Sequence, residues 1–210
     1  MVHVSEGYEA RVQTSRERTR LSQVRKSFDA GLKQKDGGAD IHENFFSACV
    51  AYIKAAMDRL HAQDQRIHDF LKPHMADRDD QNATLENLDM RLAKSRDALA
   101  VLVAAAAAFK TAGESGWADF KAAVEAFMEV YFKILLSGQH STLTLQEEVF
   151  DEATWDQVAG VTPESLAKEE ELYTTVQGLA PDDADPASFV GGPPAPGAGP
   201  PGQQGTRSAS

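Results

Sequence analysis

The chain is organised by apolar residues that recur every three or four positions. The clearest stripe begins at Phe46 and steps forward by four and three residues as far as position 74. Its members are Phe46, Val50, Ile53, Met57, Leu60, Asp64, Ile67, Leu71 and His74. A period near 3.5 is typical of a helix face that is buried against other helices. The stripe therefore predicts a long helix over residues 41–75.

Similar stripes predict further helices before and after this one. The first covers residues 15–35, and the others begin near residues 85, 117 and 163. Their members are Leu21, Val24, Phe28 and Leu32; Leu85, Leu88, Leu92, Ser95, Leu99, Leu102, Ala106 and Phe109; Trp117, Phe120, Val124, Phe127, Tyr131 and Ile134; and Leu166, Glu169, Tyr173 and Val176. No segment shows a convincing strand pattern. Short connections between long helices favour antiparallel neighbours, so the sequence predicts an all-α, antiparallel up-down helical bundle.

Two positions have the residues expected just before a helix begins. Asp40 precedes the long stripe that starts near residue 41, and its side chain is a good acceptor for free backbone N–H groups. Thr162 is followed by proline, which is favoured at the first helical position. We therefore predict N-caps at Asp40 and Thr162.

Composition divides the chain into three parts. Residues 1–37 form a basic amphipathic helical arm, since residues 1–35 contain eight Lys or Arg against four Asp or Glu. Residues 38–180 form the acidic bundle. Residues 181–210 form a Pro/Gly-rich tail that we expect to be disordered, because it has almost no large apolar residues to bury. The net charge of −11 argues against binding of nucleic acid by the bundle.

The sequence also indicates where the protein is located. The N-terminus lacks the apolar core of a signal peptide, and the longest apolar run, residues 98–109, is too short to span a bilayer. A single cysteine, Cys49, excludes an internal disulfide and a thiolate zinc cluster. We expect a cytoplasmic protein without a transmembrane segment.

One carboxylate interrupts the longest stripe. Asp64 has His61 and His68 on the same side of the helix, three residues before it and four after it. If the chain turns near residues 79–80 and again near 114–115, Asp64 lies opposite Ser95, and Ser95 lies within a turn of Tyr131. Asp64, Ser95 and Tyr131 are therefore predicted to form a polar layer in the core. Such a layer either fixes the register of the helices or forms a ligand or metal pocket.

These residues are also candidates for chemistry. Asp64 is the candidate general base, because burial raises the pKa of a carboxyl group. The candidate metal ligands are His61, Asp64, His68, His140 and Glu147. His61 and His68 are two turns apart, too far to share one ion, but each is close enough to share one with Asp64. The sequence contains no E-x-x-H pair, G-x-S-x-G elbow or glycine-rich phosphate loop.

Two segments suggest a family. They are the cluster around Asp64 and the later segment His140-Ser-Thr-Leu-Thr-Leu-Gln-Glu-Glu-Val-Phe-Asp, which is followed by Trp155. In this respect residues 40–179 resemble the hemerythrin-like proteins, four-helix bundles in which inward-facing histidines and carboxylates surround iron. The resemblance implies a di-iron site that binds dioxygen, or a role in storing or sensing iron.

Three functions remain open at this point. The first is a small accessory subunit that assembles with a catalytic partner in a cytoplasmic, bacterial-type enzyme complex. The missing catalytic motifs and the basic arm favour it, and it requires a protein partner or self-association. The second is a hemerythrin-like metal protein, with iron as its cofactor. The third is a small-molecule-binding bundle enzyme in which Asp64 is the general base.

Overall fold

The structure is a computed structural model that describes residues 6–75, 79–136 and 142–189. Its α-helices are α1 (Glu6–Asp36), α2 (Glu43–Leu71), α3 (Asp79–Ala112), α4 (Trp117–Val130), α5 (Leu143–Val149), α6 (Glu152–Ala159) and α7 (Pro163–Leu179). Shorter 3₁₀ or π turns are Lys72–Met75, Gly113–Gly116, Tyr131–Leu136, Asp182–Ala184 and Pro186–Ser188. These ranges contain no strand, so the all-helical class is confirmed for the described part of the chain. Among the helices described, none combines the length and apolar character needed to cross a membrane.

The predicted stripe on α3 is the inner face of that helix. All eight of its members, from Leu85 to Phe109, are buried. On α2 the apolar members of the stripe are also buried, except Leu60, which is partly buried; they are Phe46, Val50, Ile53, Met57, Ile67 and Leu71.

The polar members of the α2 stripe are less buried than its apolar members. Asp64 is only half-buried and His74 is exposed, whereas His61, His68 and Met75 are buried. The fully buried polar side chains of α2 are thus His61, Gln63 and His68, and Asp64 lies at the edge of the buried face.

The core is centred on Phe46. Its ring centroid lies 5.3–6.1 Å from those of Phe28 on α1, Phe109 on α3, and Trp117 and Phe120 on α4. One aromatic side chain of α2 therefore contacts three other helices. A smaller apolar cluster lies nearer the end of α2 and contains Ile67, Leu71, Met75, Leu85, Leu145 and Val158.

The apolar stripe of α1 belongs to this same core. Leu21, Val24 and Phe28 are buried among residues of α2, α3 and α4. We expected these residues to need a cover, and the rest of the chain provides it. The boundary at residue 37 stays a prediction, but this stripe is not free to contact a partner.

The two predicted N-caps had different outcomes. The N-cap of α2 is His42, whose Nδ1 accepts a hydrogen bond from the Asn44 amide at 3.2 Å, so the prediction of Asp40 was wrong. The helix begins two residues later than the stripe suggested. The cap at Thr162 is confirmed. Its hydroxyl accepts a bond from the Ser165 amide at 3.2 Å, and the Ser165 hydroxyl accepts one from the Thr162 amide at 3.0 Å.

The first residues of the predicted tail pack against α1. Ala184 and Pro186 are buried, and the buried Ser27 hydroxyl donates a hydrogen bond to the Ala184 carbonyl. The Gln23 amide also donates to the Phe189 carbonyl at 3.3 Å. The prediction of disorder was therefore wrong for residues 181–189, and residues 190–210 lie outside the described part of the chain.

This packing predicts different effects for two truncations. Ending the chain after Ala180 removes the buried Ala184 and leaves the buried Ser27 hydroxyl without its partner. We expect it to lower the free energy of unfolding by about 2–3 kcal/mol, measured by urea denaturation. Ending the chain after Phe189 keeps these contacts and serves as the control. Equal stability of the two shortened proteins would show that residues 181–189 contribute nothing.

Candidate functional sites

A buried histidine, and not Asp64, contacts Ser95. Ser95 lies on the inner face of α3 and is fully buried, and its Oγ is 2.7 Å from Nε2 of His61 on α2. The register predicted from the turn position placed Asp64 there. The contact lies three residues, or about one helical turn, earlier on α2, which is the error expected when register is estimated from a turn position.

The other nitrogen of His61 has no partner. Nδ1 is buried and makes no hydrogen bond. Burial, and to a smaller extent the charge of Arg96, lowers the pKa of His61 to about 4, while Asp58 opposes the shift. His61 is therefore neutral at pH 7, and the His61–Ser95 contact is an uncharged polar pair inside the core.

Asp64 and Tyr131 both lie close to an arginine of α1. Burial raises the pKa of the Asp64 carboxyl, although the residue keeps some exposure, and the charges of Arg18 and Arg91 oppose that rise. Burial also raises the pKa of Tyr131, opposed by Arg25 and Arg18. The arginines of α1 are therefore near enough to act on both groups, and a layer of Asp64, Ser95 and Tyr131 stays a prediction. A role for Asp64 as a general base stays a prediction.

The candidate metal ligands are not gathered around one point in the described part of the chain. His68 has Nδ1 3.1 Å from Asp69 Oδ1 and Nε2 3.2 Å from Asp89 Oδ2. Glu147 is exposed on α5, and His140 lies outside the described residues. Residues 6–75, 79–136 and 142–189 contain no group of three or more His, Cys, Asp or Glu side chains placed to hold a metal ion. Iron binding stays a prediction.

A second polar site joins α1, α2 and α7, and we call it the charged cluster. It consists of Glu17 and Arg20 from α1, Tyr52 and Arg59 from α2, and Glu169 from α7. Glu17 forms an ion pair with Arg59. The Tyr52 hydroxyl donates to Glu169 Oε1 at 2.6 Å, and Arg20 Nη1 donates to Glu169 Oε2 at 2.7 Å.

The charges of this cluster compensate one another. Glu17 and Glu169 are buried carboxylates, and each has a guanidinium partner. Burial raises the pKa of Tyr52, and its bond to Glu169 raises it further. Burial lowers the pKa of Arg59, which the charge of Glu169 opposes. Burial also acts against the charge of Arg20, but its hydrogen bonds to Glu170 and Glu169 outweigh this and raise its pKa.

Sequence reasoning missed the charged cluster, although a signal was present. Glu17 stands four residues before Leu21 and so continues the apolar stripe of α1. Glu169 is itself a member of the last predicted stripe. A carboxylate within a buried stripe requires a partner, as was argued for Asp64. The same argument applied to Glu17 and Glu169 would have predicted a polar contact between α1 and α7.

Two tyrosines allow the charged cluster to be tested. Tyr52→Phe keeps the ring but removes a donor to the buried Glu169 carboxylate, so we expect a loss of about 1.5–3 kcal/mol in the free energy of unfolding. Tyr173→Phe is the matched control, because Tyr173 donates to the neutral Gln23 at 2.9 Å in a less buried position. It should lose about 0.5–1.5 kcal/mol. Urea denaturation of both variants measures the difference, and equal losses would contradict it.

The outer face of α3 is a third candidate site. Val101 is 58% exposed and Met90 is 49% exposed. Residues 98–109 contain no charged side chain, although about half of them face outwards. A helix that is apolar on all sides is normally covered on all sides.

Comparison with known proteins identifies no relative. No family model matches the chain, no curated protein is similar to it, and no solved structure matches its fold. The resemblance to hemerythrin-like proteins stays a hypothesis based on the residues around Asp64 and His140.

Proposed function

We propose that this protein is a helical assembly subunit that pairs with a second copy of itself through the outer face of α3. The observation that carries the proposal is the exposed, uncharged surface of α3 around Val101. The accessory subunit expected from the sequence assembles with a catalytic partner, and we propose that this pair is the form in which it does so.

An antiparallel arrangement of α2 and α3 is part of the proposal. Three contacts between these helices support it: Phe46 with Phe109, His61 with Ser95, and His68 with Asp89. The residue numbers rise along α2 as they fall along α3. This is the order of contacts that two neighbouring helices running in opposite directions make.

The outer face of α3 has the spacing of a second packing seam. Its exposed residues step by four and three along the helix, as do those of the buried face. They are Met90, Lys94, Asp97, Val101, Ala104, Ala108 and Thr111. The small side chains near the middle would allow a second helix to approach closely.

Charge selects a second copy in the antiparallel direction as the occupant of this face. With a twofold axis at Ala104, Val101 of one copy faces Ala107 of the other. Asp97 then faces Thr111 of the other copy, beside the exposed Lys110, an opposite charge. A parallel pair would instead place Lys94 against Lys94 and Asp97 against Asp97, which is repulsive. One helix from each copy buries less than the roughly 800 Å² per partner of a standard interface, so we expect a micromolar dissociation constant.

Sedimentation equilibrium tests the pairing. The wild-type protein should pass from monomer to dimer as its concentration rises through the micromolar range. Ala104→Glu places two carboxylates together at the twofold axis and should leave the protein monomeric throughout. Ala167→Glu adds the same charge to an exposed position of α7 and should leave the dimer intact. A monomeric wild type, or an Ala104→Glu protein that dimerises normally, would overturn the proposal.

The accessory role has its own support. The side chains best suited to chemistry are engaged inside the chain: His61 with Ser95, and Glu169 with Tyr52 and Arg20. Purification of the tagged protein from its native source should recover an enzyme in stoichiometric amount. Recovery of the tagged protein with untagged copies of itself alone would contradict the accessory role while leaving the pairing standing.

A further inference from the structure

A cavity of about 100 Å³ lies beside the charged cluster, between α1, α2 and α7. Glu17 lines it and is only 4% exposed. One of its oxygens pairs with Arg59, but the other, Oε1, is buried and has no hydrogen-bond partner. A buried carboxylate oxygen without a donor is costly. A molecule that occupied the cavity and carried an N–H group would supply that donor.

The walls of the cavity limit the charge of such a molecule. Arg59 and Lys168 line it and disfavour a simple cation, while Glu17 and Glu169 disfavour a simple anion. A ligand that carries one charge of each sign can place its cationic group near the two glutamates and its anionic group near Arg59 and Lys168. Ala55 and Leu172 add an apolar wall.

We propose that this cavity binds a small zwitterion of the α-amino-acid type with a short apolar side chain. Its ammonium group donates to Glu17 Oε1. Its carboxylate faces Lys168, which is exposed at the rim, and its side chain packs against Ala55 and Leu172. A water molecule takes a share of about 30 Å³ in the liquid, so the cavity has room for about three waters or for a ligand the size of alanine. The site is independent of the pairing through α3, because its lining comes from α1, α2 and α7.

NMR titration of the ¹⁵N-labelled full chain tests the proposal with three probes. L-Alanine carries both charges, ethylamine carries only the ammonium, and propionate carries only the carboxylate. We expect saturable shifts of the Tyr52, Ser165 and Glu169 amides with L-alanine. Each single-charge probe should bind at least about tenfold more weakly, since it lacks one of the two ionic contacts.

Two variants place the binding in the cavity. Glu17→Gln keeps the shape of the side chain but removes its charge, and should weaken L-alanine binding at least about tenfold. Ala55→Leu fills the cavity without changing any charge and should abolish binding. Ala153→Leu, on the exposed side of α6, is the control and should bind normally. Circular dichroism measures whether each variant is folded. If Glu17→Gln does not fold, the binding of L-alanine by Ala55→Leu decides whether the ligand occupies the cavity.

Three results would overturn the proposal. The first is no saturable shift with L-alanine. The second is ethylamine binding as tightly as L-alanine, which would define a cation site. The third is unchanged binding by folded Ala55→Leu, which would place the ligand elsewhere.

Discussion

Phe46→Ala is expected to lower the free energy of unfolding by about 3–5 kcal/mol. Phe46 is fully buried, and its ring contacts aromatic side chains of α1, α3 and α4. Removing it leaves a cavity at the point where these helices meet, and the rigid rings around it cannot all move to fill the space. The loss is a large fraction of the 5–15 kcal/mol that stabilises a typical domain. Urea denaturation followed by circular dichroism measures it.

Phe132→Ala is the control for this prediction. Phe132 is 45% exposed, and its main described contacts are the Tyr131 ring and the Arg25 guanidinium, 4.7 Å from its ring centroid. We expect a loss below about 1 kcal/mol. If Phe46→Ala cost no more than Phe132→Ala, the aromatic cluster would not be the centre of the core.

Acidification is expected to destabilise the protein through His61. Its pKa is about 4 in the folded protein and 6.5 for an ordinary histidine. Between these values the unfolded chain binds a proton that the folded chain does not, so stability falls as the pH is lowered from about 6.5 to about 4. This difference in pKa corresponds to a loss of about 3 kcal/mol at most in the free energy of unfolding. The free energy of unfolding measured at several pH values reports the slope.

Two variants separate His61 from other titrating groups. His61→Gln retains a partner for Ser95 but cannot titrate, so the loss of stability between pH 6.5 and 4 should become smaller. Asp64→Asn should act in the opposite direction. The pKa of Asp64 is raised, so this residue contributes stability at low pH that is lost as the pH rises. Its removal should steepen the loss on acidification. An unchanged slope in His61→Gln would show that His61 is not held neutral by burial.

The stripes of α3 and α2 show how far periodicity predicts a fold. On α3 every predicted position is buried, from Leu85 to Phe109. On α2 the apolar members from Phe46 to Leu71 are buried except Leu60, whereas the polar members Asp64 and His74 are half-buried and exposed. The register of α2 against α3 was harder to predict, because it depended on an assumed turn position, and an error of one or two residues in the turn moves every contact by about one helical turn. His61 was therefore named as a neighbour of Asp64 and not as the partner of Ser95.

Contacts between distant segments were harder to predict. Glu17 and Glu169 are far apart in the sequence, and no local pattern shows that Arg59 and Arg20 are their partners. The start of the tail posed a similar difficulty. Its composition indicates disorder, but Ala184 fits against α1 because the Ser27 hydroxyl binds its carbonyl. Composition describes how much apolar surface a segment has, and not whether another segment has a complementary place for it.

Disulfide cross-linking of Ala104→Cys tests the proposed pairing most directly. A residue on a twofold axis faces its own copy, and a disulfide requires two Cα atoms within about 7 Å. The natural Cys49 is the only cysteine and is buried, so a cross-link between two copies forms only through the introduced thiol. Under mild oxidation Ala104→Cys should form a covalent dimer nearly completely, while Ala167→Cys, on the exposed side of α7, should remain monomeric. Equal and slow cross-linking of the two variants would contradict assembly through the outer face of α3.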